Sequence, residues 1–278
     1  MENRSCGRTL LLIIIGLIGL GLIGTLLWWE GHLSGFLPRP LPPFPTAAPY
    51  APWPTPPVAT AFDFPLLPAT EYSSLPYTRY GVQNPAQGDR SNCFRNASGD
   101  SVPFSQLYHA GVDLFALNDA GEVAWGLAKH APVYAVADGV TVFALDAGSE
   151  GQIIGIEHRL ADGPALPVPS APEGSPVEGS AVYSIYWHVS HVQVQPGQPV
   201  TRGQMIAVVH DMGLNSHLHW EMRTFYDGSN LFPAGTAGAR GTCNRQIAGV
   251  GYTWDDIPAR AHPDYYGYLD PIAFVESR

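Results

Sequence analysis

Residues 9–29 form one apolar run, TLLLIIIGLIGLGLIGTLLWW. Its length matches the ~20 residues a helix needs to cross a bilayer. Arg4 and Arg8 precede it, and Trp28 and Trp29 close it where interfacial aromatics sit. The positive-inside rule then makes residues 1–8 a cytoplasmic tail, residues 9–29 a transmembrane signal anchor, and everything after Glu30 extracytoplasmic. A cleaved signal peptide is the rival reading. The long apolar stretch and the lack of an A-x-A-like site speak against it. No cysteine follows the run to carry a lipid, and its glycines form no GxxxG pair.

Pro38 to Pro57 holds ten prolines in twenty residues, which excludes a helix or a central strand. Residues 30–68 are read as a Pro-rich extracytoplasmic linker. The proline tract would span roughly 60 Å at ~3.1 Å per residue if fully extended. Residues 69–105 show no period and are read as an irregular lead-in.

From Tyr108 the pattern turns strand-like. His109 to Phe115, Pro132 to Phe143, Gln152 to His158, Ala181 to Val189, Met205 to Val209 and Leu218 to Arg223 are short apolar or alternating runs. Asp138-Gly139 breaks the second into a hairpin. Short strands separated by Gly-rich turns predict a mostly β, antiparallel, sandwich-like domain over residues 106–278. Residues 159–180 carry five prolines and interrupt the set as a long loop. Long loops of this kind are functional rims as often as dispensable insertions.

Composition narrows the picture. The net charge of −10 opposes nucleic-acid binding, which needs a basic patch. Only 14% of the residues are charged, and 30 Gly and 27 Pro favour strands and turns over helices. Cys93 and Cys243 are the only possible internal disulfide if the domain lies outside the cytoplasm; two unpaired buried thiols are the alternative. Asn96-Ala97-Ser98 is formally a glycosylation acceptor.

Candidate chemistry concentrates in Ser216-His217-Leu218-His219-Trp220-Glu221. On a strand, His217, His219 and Glu221 share one face and Leu218 and Trp220 the other. Paired imidazoles on a rigid face suit a metal ligand beside an acid–base group. His109-Ala110-Gly111-Val112-Asp113 adds a His and an Asp facing one way on an extended segment. Tyr186-Trp187-His188-Val189-Ser190 ends an apolar strand with a histidine.

The order HxxxD, Ala137-Asp138-Gly139-Val140, YxHxS, GQxVxxGQ (Gly197 to Gln204) and HLHWE resembles the LytM/lysostaphin-type zinc endopeptidases of metallopeptidase family twenty-three. Tyr268 to Ile272 resembles the family's usual end. The resemblance covers about Tyr108 to Arg223; the anchor, the linker and residues 69–105 lie outside it. It implies a catalytic domain with an open groove and a bound Zn2+. His109, Asp113 and His219 would hold the metal, and His188 and His217 would do acid–base and electrostatic work. It also implies a substrate among the stem-peptide or cross-bridge bonds of peptidoglycan, on the outer face of a bacterial membrane reached through the single-pass anchor. The alternative is a catalytically inactive wall-binding or regulatory module that activates another hydrolase. A peptidase acting on Gly-rich proteins is a third reading. Cell-wall or division-protein partners are not named by the sequence. Residues 159–180 and 225–253 are the expected groove walls. Asn92 or Cys93 could belong to a pro-segment over the metal. Glu221 is expected either to orient a ligand from behind or to sit at the domain edge, Tyr186 to be structural, and His191 to be a possible groove residue.

Overall fold

The computed structural model describes residues 54–85, 98, 100–161, 181–225 and 250–278. The expected anchor, the linker up to residue 53, Cys93, Cys243 and most of both expected groove walls lie outside the described residues. Among the described residues no helix is long and apolar enough to cross a membrane.

The domain is mostly β; among the described residues one short α-helix, α1 (Pro271–Glu276), follows the last strand. Its strands are β1 (Val58–Ala59), β2 (Tyr72–Ser73), β3 (Tyr108–His109), β4 (Val112–Ala116), β5 (Pro132–Tyr134), β6 (Gly139–Asp146), β7 (Gln152–Leu160), β8 (Ala181–Ser190), β9 (Pro199–Val200), β10 (Met205–Val209), β11 (Leu218–Arg223), β12 (Tyr252–Thr253) and β13 (Tyr268–Leu269). The main sheet runs β2-β4-β11-β8-β7-β6-β9, and every pairing in that path is antiparallel. β10 joins β5 to β8, and β12 pairs with β3 as a separate ribbon.

Alternation sorts the two faces. Val112, Leu114, Leu218, Trp220, Met222, Tyr186 and Val182 enter the main core with Ile154 and Ile156. Asp113, His219 and Trp187 are register partners on the opposite face.

The sheet also draws on residues read from sequence as linker and lead-in. Val58–Ala59 run parallel to Arg159–Leu160, and Phe62 and Leu66 are buried in the core. Tyr72–Ser73 pair with Phe115–Ala116. Asp113 N donates to Thr78 O, and His109 N donates to Val82 O. Isolated apolar residues among prolines have no period, so this support is invisible to pattern reading.

A buried polar chain ties the hairpin at Asp138 to the sheet. His158 Nδ1 lies 2.9 Å from Asp138 O, and its Nε2 lies 2.7 Å from Ser184 Oγ. Ser184 Oγ bonds Tyr186 Oη at 3.0 Å, and Val136 N donates to Tyr186 Oη. Tyr186 is therefore structural. Burial pushes His158 down from 6.5 to about 4. The unfolded chain binds the extra proton between those values, so this stabilisation is complete above pH 6.5 and is lost as pH falls to 4. The difference amounts to about 3 kcal/mol. In chelator, thermal unfolding of the wild type should weaken steeply from pH 6.5 to 4. His158→Gln should show a shallower slope; equal slopes would remove His158 from the account.

Candidate metal centre

β4 and β11 lie antiparallel with His219 opposite Asp113. That register places two of the expected ligands side by side. The third arrives differently. A fully extended segment would hold His109 and Asp113 roughly 13 Å apart at ~3.3 Å per residue. Instead the chain bends at Ala110-Gly111, between β3 and β4, and brings His109 Nε2 to 3.1 Å from Asp113 Oδ1. Gly111 is required at the bend, because a Cβ there would lie 2.4 Å from Trp220 O and 2.8 Å from Glu221 Cγ.

His219 Nδ1 lies 2.8 Å from Asp113 Oδ1 and 3.1 Å from His109 Nε2. These three buried residues could hold a metal ion. Two imidazole nitrogens and a carboxylate oxygen are ordinary zinc donors. Their 2.8–3.1 Å separations approach the ~3.3 Å edge of a tetrahedron with ligands ~2.0 Å from its centre.

The other ring nitrogen of His219 is also fixed. Nε2 lies 2.9 Å from Glu221 Oε1, which accepts from Gly251 N at 2.6 Å. Glu221 Oε2 is 3.6 Å from Arg223 Nη1, and both side chains are fully buried. Glu221 thus holds His219 from behind; it is not an edge residue. An imidazole held on a carboxylate in this way has its tautomer set, with Nδ1 free to bind metal. His109 Nδ1 is buried with no hydrogen-bond partner among the described residues.

His217 precedes β11 and reaches the same face. Its Nδ1 is 2.6 Å from Asn215 O, and its Nε2 is 3.5 Å from Asp113 Oδ1. The Phe115 ring stacks on it at 4.8 Å. Phe115 was missed in the sequence, although it is two residues beyond Asp113 and so shares its face.

His188 defeats simple alternation, which would place it beside Tyr186 in the core. The β7–β8 register slips between Gln152 and Ile153, and His188 takes φ +60° in the resulting bulge. At this point the edge partner of β8 changes from β11 to β10. Such bulges re-aim a side chain. His188 stacks on Trp187 at 4.1 Å, and its ring lies 4.7 Å from His217. Its Nδ1 is 3.1 Å from Glu150 O.

A carbonyl can only accept. Both His188 and His217 therefore carry their proton on Nδ1 and, when neutral, present a bare Nε2. Burial first, then the neighbouring histidines, holds His188 well below its ordinary value; burial also lowers His217. Burial pulls His219 down too, but Asp113 and Glu221 outweigh it and raise it to about 9. Burial opposes ionisation of Asp113, but the surrounding histidines keep its carboxyl well below the carboxylate range.

The remaining histidines sit elsewhere. His191 is exposed against Ser190 Oγ, and His130 faces Asp211 at 3.9 Å. His262 caps the turn Pro263–Tyr266.

Residues 176–233 match the family model described as Peptidase family M23. That segment of the chain is similar to the M23 peptidases. No curated protein matches the chain. Among solved structures, a zinc containing peptidase from Vibrio cholerae is 22% identical, at TM-score 0.34, over 59% of this chain. The chain spans only 37% of that relative. Lysostaphin from Staphylococcus simulans, described as an antimicrobial peptidase, is 16% identical at TM-score 0.33, over 74% of this chain and 56% of its own. The SpoIIQ–SpoIIIAH pore forming complex is 18% identical at TM-score 0.34, over 59% of this chain and 84% of its own.

Two outcomes are expected of this site. Glu221→Gln should weaken zinc binding about 10–100-fold while the domain stays folded; unchanged affinity by competition with a chelating dye would contradict the orienting role. Because His219 is protonated below about pH 9, zinc binding at pH 7 should release about one proton, and affinity should rise with pH up to 9. Calorimetry in two buffers of different ionisation enthalpy checks the proton count; zero release would contradict it.

Proposed function

We propose that the chain is a zinc-dependent endopeptidase that hydrolyses peptide bonds of bacterial peptidoglycan. In this reading residues 9–29 anchor it in the bacterial cell membrane and the Pro-rich tract holds the domain on the outer side. The observation that carries the reading is the convergence of His109 Nε2, Asp113 Oδ1 and His219 Nδ1 within 3.1 Å of one another, beside the bare Nε2 of His217.

When bound, zinc supplies a Lewis acid for the scissile carbonyl and lowers the pKa of its water to ~7. The protein supplies the rest. His217 Nε2 accepts the water proton, since Asn215 O keeps the ring proton on Nδ1. Once protonated, that imidazolium donates from Nε2 and can deliver the proton to the departing amine. His188 has the same tautomer, so it donates to the developing oxyanion only in its protonated form. The two rings lie 4.7 Å apart. Asp113 and Glu221 keep the ligand imidazoles in register throughout.

The test separates the roles of two neighbouring histidines. His219→Ala should abolish zinc binding and turnover. His217→Ala should retain zinc and lose about 10²–10⁴ in rate. Metal content by atomic emission and peptide release from isolated sacculi give both readouts. If both variants lost zinc alike, the division of roles would fail. Zinc binding without any peptide release by the wild type would favour the regulatory module.

A further inference from the structure

Three large apolar side chains stand exposed together beside the metal centre. Trp125 is 51% exposed, Leu127 59% and Leu214 75%. With Gly126, Lys129 and Gly213 they line an open cleft of about 540 Å³. That volume lies in the range of peptide-sized ligand sites.

The cleft is built from the parts that aim His217. Leu214 sits on the tight turn Gly213–Asn215. Ser216 Oγ braces that turn, accepting from Met212 N at 2.9 Å and donating to Gly213 O at 2.8 Å. The same turn supplies Asn215 O to His217 Nδ1. On the other wall, the Trp125 ring packs edge-on to Phe115 at 5.3 Å, and Phe115 stacks on His217. The two walls meet at a floor without side chains. A Cβ on Gly126, which has φ +77°, would lie 2.9 Å from Gly213 O. Trp125, Leu127 and Leu214 are exposed side by side, and grouped exposed apolars of this kind mark binding surfaces.

We infer that Trp125, Leu127 and Leu214 form an apolar subsite on the His217 side of the scissile bond, which takes an aliphatic side chain of the substrate peptide. This rests on the endopeptidase reading and adds the substrate preference. The enzyme selects peptides with alanine or a larger aliphatic residue next to the cleaved bond over side-chain-free glycine bridges. Lys129 does not set the preference, because Asp211 lies in its field, tied to Gly213 N at 2.9 Å. A methyl group in an apolar pocket is worth about 10–200-fold in kcat/KM.

The experiment uses the full zinc-loaded chain and two probes, an alanine-containing stem-peptide dimer and pentaglycine. The wild type should prefer the alanyl probe at least about tenfold. In Trp125→Ala/Leu214→Ser the alanyl-to-glycyl ratio should fall toward one, through KM more than kcat, with zinc content unchanged. A ratio unaffected by the double variant, or a wild type preferring pentaglycine, would overturn the inference. Calorimetric binding of both probes to His217→Ala separates this from the catalytic reading. Selective alanyl binding, lost when the Trp125 and Leu214 changes are added, supports the subsite even if no peptide is cut. Equal binding of both probes overturns it even if cleavage is observed.

Discussion

The carboxylate of Asp113 is the point on which the site is assembled. Three imidazole nitrogens, from His219, His109 and His217, lie 2.8, 3.1 and 3.5 Å from its Oδ1. A buried carboxylate is tolerated only when paired or bound to a cation. The fold satisfies this one requirement from three separate directions. The β4–β11 register delivers His219, the bend at Gly111 delivers His109, and the turn before β11 delivers His217.

Behind these groups, backbone and buried charge define which nitrogen faces inward. Glu221 takes the Nε2 side of His219, Asn215 O the Nδ1 side of His217, and Glu150 O the Nδ1 side of His188. The three rings are therefore not held alike: Glu221 leaves the Nδ1 side of His219 facing Asp113 and His109, whereas the carbonyls leave Nε2 of His188 and His217 free of a proton when neutral. Glu221 is in turn fixed by Gly251 and Arg223, and Tyr252 pairs with His109 across β12 and β3. The segment at Gly251 and Tyr252 is thus part of the site's support, as is the segment around Thr78 and Val82.

Much of this was legible in the sequence, and the reason is the two-residue period of a strand. The period put His217, His219 and Glu221 on one face and Trp220 in the core. The resemblance carried by HxxxD, YxHxS and HLHWE added the division between ligands and acid–base residues as an expectation. The period failed where the backbone departs from a regular strand. Strict alternation would turn His188 toward the core, and the left-handed bulge that re-aims it leaves no mark when the residue is not glycine. The period spread His109 and Asp113 along a straight segment, because one bend can bring their side chains together without changing the pattern. Carbonyl partners such as Asn215 O and Glu150 O carry no side-chain signal at all. The strand at Val58–Ala59 was hidden by its proline-rich surroundings.

The central claim is that His217, just before β11, and His219, on it, divide between proton and metal. A zinc-edge anomalous diffraction map of the zinc-loaded protein tests it most directly. The account predicts a single peak bonded to His109 Nε2, Asp113 Oδ1 and His219 Nδ1, with His217 Nε2 and His188 Nε2 off the metal. A peak bonded to His217 or His188, or to His219 through Nε2, would contradict it.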